Sequence, residues 1–303
     1  METNTNNSRN TIREFALPIS IVIAGIIVAG AVLMTSGRPT RLASTGVQSA
    51  ARTALEESVL PKAGVKLPAT WGDLGVRLVE AGAIDPVALK KVYKNRGAFP
   101  AAYDDLLTKR SNGALTITEE NAGYLLNLLW ALGLANKNPI LETGEMVNPA
   151  YGGAGNFAST GGWTIAKGDA MDHYSNHALM VLTPEQQKLV DRVSKGIFRP
   201  CCGNSTHFPD CNHGMAMLGL LELMASQGAS EKEMYKAALA VNSYWFPGTY
   251  LTLAEHMQQK GVDWKDVSSK EILGADYSSS AGFQNISSQV DAPSGGGGGG
   301  CSV

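Results

Sequence analysis

The chain has 303 residues, 44% hydrophobic and 17% charged, with a net charge of -2. That is an ordinary globular balance, so the chain should bury a real core. Without a basic stripe, an RNA-binding signature or a helix-turn-helix pattern, nucleic acid is excluded as a partner.

In chain order, the first element expected is membrane-spanning. Phe15 to Met34 reads FALPISIVIAGIIVAGAVLM, with no charge. About 20 apolar residues at 1.5 Å rise cross a bilayer core, and Pro18 with its neighbouring glycines is tolerable there. The stretch exceeds the apolar region of a secretory signal, and no A-x-A cleavage site follows it. Arg9 and Arg13 before it nearly balance Arg38 and Arg41 after it. The short polar N-terminal tail favours N-in and C-out. The expected address is therefore the cell membrane: a cytoplasmic tail at 1–14, a single anchor at 15–34 and a stalk at 35–66. An extracytoplasmic, mainly helical domain follows at 67–290, so the fold class expected is all-α behind one transmembrane helix.

Within the domain, Trp71, Leu74, Leu78 and Val79 make one helical face. Asp85 and Pro86 read as an N-cap and first helical residue. Thr118 opens a further helix with Glu119 and Glu120 in its first turn. The helix from Asn121 to Leu134 is apolar nearly all round and belongs in the core. Residues 143–168 break the pattern. Their glycine-rich part, 151–162, reads as a long loop, or a loop with a short hairpin. It carries no phosphate-cradling motif. Thr183 and Gln186 form a capping box with Pro184 at the first position, and Ser230 with Glu233 forms another. A helix over Tyr250 to Lys260 stops at Gly261. The tail, 291–303, holds six glycines and Cys301, a thiol on a flexible tether.

Three of the four cysteines, and two of the five histidines, lie within FRPCCGNSTHFPDCNHGMAMLGL. They are Cys201, Cys202, Cys211, His207 and His213. Turn chemistry at Gly203 to Thr206 and Asp210 as N-cap place Cys211 at the first helical position. There the helix dipole favours its thiolate, the metal-binding form. Sulfur and imidazole donors together suit copper, zinc or iron. The candidate ligands are Cys201, Cys202, His207, Cys211, His213 and Cys301. Met215 and Met217 are possible thioether ligands, although core packing is the favoured reading of them, and Asp210 has a structural, capping role. The spacing is not that of a zinc finger, C-x-x-C or C-x-x-C-H. Paired cysteines outside the cytoplasm also form disulfides, so a disulfide-stapled interaction domain is the alternative. A Cys–His thiol enzyme is a third.

The pattern P-C-C…H…D-C resembles bacterial PCYCGC-motif proteins over Pro200 to about Tyr235. That resemblance implies a membrane-associated, extracytoplasmic protein that handles metal, with Pro200, Cys201, His207, Asp210 and Cys211 as the matching positions. The adjacent Cys201-Cys202 departs from the spaced cysteines of that family, so its ligand set does not transfer whole.

His173 and His177 make a His-x3-His pair without the H-E-x-x-H glutamate, which favours a surface or capping role. His256, beside Glu255, should face solvent. No G-x-S-x-G elbow occurs, and no catalytic residue is assigned. The function expected is a membrane-anchored metal-binding protein.

Overall fold

The computed structural model describes residues 50–94 and 99–290. The chain divides into two units between Ala54 and Leu55. Of the first unit only 50–54 are described, as the start of a helix (α1) over residues 50–59.

The second unit is mainly helical, with one two-stranded antiparallel sheet: β1 (Val65–Gly72) and β2 (Asn112–Ile117). The all-α expectation is corrected here. Leu67, Ala69 and Trp71 alternate inward along β1, the period-2 pattern of a half-buried strand. Trp71 thus belongs to the strand rather than to the helix that follows, α2 (Leu74–Glu80). The register slips between Lys66 and Thr70, around Pro68, which has no N–H to give the ladder. On its other edge the Gln227 side chain brackets β1. Its Oε1 accepts from the Thr70 N–H and its Nε2 donates to the Thr70 carbonyl, both at 2.7 Å.

The membrane address is corrected as well. Among the described residues no helix is long and apolar enough to cross a membrane. The anchor expected at 15–34 lies outside the described residues, as do the 1–14 tail and the Cys301 tail. The single-pass, N-in/C-out placement is therefore not carried forward.

Several helix starts follow the sequence. Asp85 caps α3 (Pro86–Tyr93), accepting from the Val87 and Ala88 N–H groups. α4 is Ala101–Thr108. Thr118 and Asn121 bond reciprocally just before α5 (Ala122–Ala135), so the helix begins later than Thr118. A short α6 (Pro139–Thr143) leads into the glycine-rich stretch. That stretch forms 3-10 turns at Glu145–Val147, Pro149–Tyr151 and Ala154–Asn156 rather than a hairpin. The Thr183 capping box opens α7 (Pro184–Lys195). α8 (Asn212–Ser226) follows, and the Ser230 box opens α9 (Glu231–Trp245). The remaining helices are α10 (Pro247–Gln259), α11 (Ser269–Ile272), α12 (Ala275–Ser278) and α13 (Ser280–Ser287).

Two helices make the centre. In α5 every residue from Tyr124 to Ala135 is buried, and in α8 every residue from Asn212 to Ala225. They touch backbone to backbone. A methyl on Gly133 would fall 2.1 Å from the Met215 carbonyl oxygen, and one on Gly219 would fall 2.4 Å from that of Leu129. Gly219→Ala should therefore push the two helices apart and cost about 3 kcal/mol or more. Denaturant unfolding of the variant measures it, and a loss under about 1 kcal/mol would contradict this crossing.

One carboxylate is sealed beside that crossing. Glu222 of α8 is fully buried. Its oxygens accept from the side-chain amides of Asn136, at 3.0 Å, and Asn138. Both amides are held in orientation: Asn136 Oδ1 accepts from the Met180 N–H, and Asn138 Oδ1 from Ile140 and Gln187. Burial outweighs the two amide bonds and pushes Glu222 up to about 8. The folded protein then holds a proton that the unfolded chain releases above about 4.5. Stability from this group is full below that pH and falls as pH rises to about 8, by roughly 1.4 kcal/mol per unit. The stability difference between wild type and Glu222→Gln, followed by denaturant melts from pH 5 to 8, should show this slope. A pH-independent difference would refute it.

Candidate metal centre

The site lies where the turn after α7 meets the start of α8. Its framework is a buried arginine. Arg199 is fully buried, and its guanidinium donates to the Asp210 carboxylate at 2.7 Å and to the Phe208 carbonyl at 3.3 Å. The other Asp210 oxygen accepts from Asn204 at 2.8 Å. Asp210 is thus occupied in bracing the turn. The cap expected of it falls one residue later, on Cys211, whose Sγ accepts from the Gly214 N–H at 3.4 Å. Gly214 is required at this point. A methyl there would lie 2.7 Å from the Arg199 guanidinium carbon.

Around this frame the three described cysteines converge. Cys201 Sγ is 3.6 Å from Cys211 Sγ and 3.9 Å from Cys202 Sγ. None is in a disulfide; Cys211 is buried, while Cys201 and Cys202 are partly exposed. Two donor groups share Cys211. One is Cys201, Cys211 and His213, the other Cys202, Asp210 and Cys211, and within each the donor atoms lie within 4.8 Å of one another. These buried groups could hold a metal ion. His213 packs its ring against Phe246 and Trp245, at 4.4 and 5.6 Å. Its Nδ1 is buried without a hydrogen-bond partner among the described residues, as are Nε and one terminal nitrogen of Arg199. Unmet polar atoms are rare in a protein interior. Three of the atoms in this state among the described residues lie beside the three sulfurs.

The charges agree. Hydrogen bonds from Cys201 and Cys202, with the Arg199 charge beside them, hold the Cys211 thiol well below the usual range despite its burial. Its bonds to Cys202 and Cys211, then burial, push Cys201 up. For Cys202 the bond to Cys201 acts downward, but Cys211 and burial outweigh it. Of the three sulfurs, Cys211 is thus the one whose thiolate is favoured, beside two further thiols and the Arg199 cation. Burial alone would make Arg199 easier to deprotonate, but Cys211, Cys202 and Asp210 keep it a cation.

The other candidates fall elsewhere. His207 Nε2 donates to the Asp191 carboxylate at 2.7 Å and belongs to neither donor group. Met215 and Met217 are fully buried in the hydrophobic core. Cys301 lies outside the described residues. His173 and His177 are 3.0 Å apart through Nδ1 and Nε2, and His173 Nε2 meets the Lys167 carbonyl, so both His173 nitrogens and one of His177 are used within the fold. His256 is buried, contrary to its expected exposure, because α10 turns that face inward.

No family model, curated protein or solved structure matches this chain. The resemblance to PCYCGC-motif proteins rests on the residues of its own 200–235 segment.

The glycine-rich loop is the site's outer support. The Ser159 N–H donates to the Asp210 carbonyl at 3.1 Å, and the Ser159 carbonyl accepts from the Trp130 indole of α5 at 2.6 Å. Tyr151 and Phe157 pack on Phe208 across the same seam. From the far side, the Ser280 N–H of α13 holds the Cys202 carbonyl at 3.0 Å. Sequence reasoning passed over Arg199 and Gly214, since a lone arginine before a proline carries no signal of burial. Gly214→Ala should displace Arg199 from Asp210 and lower stability by about 1–3 kcal/mol. It should also raise the Cys211 thiol pKa, measured as slower alkylation at neutral pH. Unchanged alkylation would show that Arg199 does not set the thiolate.

Proposed function

We propose that this protein binds a divalent thiophilic metal ion, zinc foremost, through Cys201, Cys202, Cys211 and His213. The observation that carries the reading is the buried His213 Nδ1, without a hydrogen-bond partner among the described residues, on a ring grouped with the Cys201 and Cys211 thiols. Three sulfurs and one imidazole are a tetrahedral donor set of the kind structural zinc sites use. Asp210 is the weaker donor, because Arg199 and Asn204 already hold both its oxygens.

Charge separates the ions. Three thiolates and a neutral imidazole around a divalent cation leave one negative charge beside the buried Arg199–Asp210 pair, whose own charges cancel. A monovalent copper ion would leave two, and charge in a largely desolvated place is expensive. Arg199 then has a role that its hydrogen bonds to Asp210 and Phe208 do not exhaust: its free N–H groups can serve the thiolates. Four protein ligands close the coordination sphere, which suits holding or passing on an ion better than activating a water.

The test is metal content by mass spectrometry of the full chain, purified without chelator. About one zinc per chain is expected, lost in Cys211→Ser and in His213→Ala, and kept in His207→Ala. Protein that takes up no metal when zinc is supplied to the reduced chain would overturn the proposal. Preferential copper loading would keep the site and refute the charge argument.

A further inference from the structure

The same sulfurs are poised for a second chemistry. We propose that Cys201 and Cys211 form a reversible disulfide that empties the metal site, so that metal binding is controlled by thiol oxidation. This rests on the metal reading above.

The choice of pair follows from distance and restraint. Cys201 Sγ is 3.6 Å from Cys211 Sγ, nearer than its 3.9 Å approach to Cys202. A disulfide needs about 2.05 Å, so one sulfur must move by about 1.5 Å. Cys211 cannot supply that movement cheaply, since it is the N-cap of a fully buried helix and its carbonyl already accepts from Met215. Cys202 is held at both ends of its peptide, its N–H on the Arg199 carbonyl and its carbonyl on Ser280. Cys201 lies between these anchors, and among the described residues its main chain makes no hydrogen bond. It is the sulfur free to close the gap. The rival Cys201–Cys202 bond, despite the 3.9 Å approach, would close a ring through a single peptide bond, which strains that planar unit.

Exposure sets the order of events. Cys201 is partly exposed and Cys211 is buried, so a small disulfide such as oxidised glutathione meets Cys201 first. In the metal-loaded chain Cys201 is a metal-bound thiolate; it attacks one sulfur of the oxidant, the S–S bond breaks, and the leaving thiolate takes a proton from solvent. Cys211 then attacks the Cys201 sulfur of the mixed disulfide and expels the second thiol, which also takes a proton. In sum two protein thiolates are oxidised to one disulfide and one small disulfide is reduced to two thiols. Two of the three thiolate donors are then gone. Cys202 and His213 alone are too few to hold the ion, which is released to solvent.

The experiment uses the full chain, reduced and loaded with zinc ion, and has two readings. Zinc is counted before oxidant is added, and release is then followed with a chromogenic chelator during titration with oxidised glutathione. The final sample is mapped by peptide mass spectrometry without reduction. The expected result is release of the bound zinc in step with a Cys201–Cys211 linkage, and re-binding after reduction. A Cys202→Ser chain should still form that linkage, because the pair is intact, whereas Cys201→Ser should not. A different linkage, or zinc retained once Cys201–Cys211 is formed, would overturn the proposal. Absence of zinc in the reduced sample, seen before any oxidant, would instead overturn the metal reading on which it rests.

Discussion

The crossing of α5 and α8 at Gly133 and Gly219 is the contact on which the rest of the structure depends. Because neither residue has a side chain, two helices that are apolar on all faces can approach until backbone meets backbone. Their outward faces then become the surfaces that the sheet, the remaining helices and the loops cover. The crossing also fixes where α8 begins, and α8 begins with Cys211 and His213. The site is therefore anchored at the start of a helix buried along nearly its whole length, which suits a preorganised centre.

From that anchor, the support runs outward through named contacts. Trp130 of α5 holds Ser159, Ser159 holds the Asp210 main chain, and Asp210 holds Arg199. Arg199 lies on Gly214 at the first turn of α8, which closes the circuit. The glycine-rich loop is thus explained as a brace. Its small residues let Ser159 and Thr160 be fully buried beneath the Cys turn, while its aromatic residues Tyr151 and Phe157 clamp Phe208. A buried guanidinium is costly unless it is paired. Here the pairing partner is the sulfur cluster as well as Asp210.

Much of the helical frame was legible in the sequence, and for local reasons. Capping boxes at Thr183 and Ser230, and the Asp85-Pro86 start, depend on residues three or fewer positions apart, so they survive whatever the tertiary context is. The buried character of α5 was equally plain. The sheet was not, because Leu67, Ala69 and Trp71 alternate over too short a run, and the partner residues lie 40 to 52 positions away. The cysteine cluster was visible as a cluster, but its membership was decided by folding. His207 is drawn off to Asp191 across the turn, and the cap shifts from Asp210 to Cys211 because Arg199 claims the carboxylate. Glu222 left a trace, a lone acid within GMAMLGLLELMA, yet its amide partners come from residues 136 and 138 and could not be read locally. The membrane segment expected at 15–34 lies outside the described residues, and no helix within them can replace it.

The most direct test of the central claim is X-ray absorption at the zinc edge on the reduced, zinc-loaded full chain. The account predicts a first shell of about three sulfurs near 2.3 Å and one nitrogen near 2.0 Å, from Cys201, Cys202, Cys211 and His213. A shell of oxygen and nitrogen alone, or one unchanged when Cys211 is replaced by serine, would contradict it.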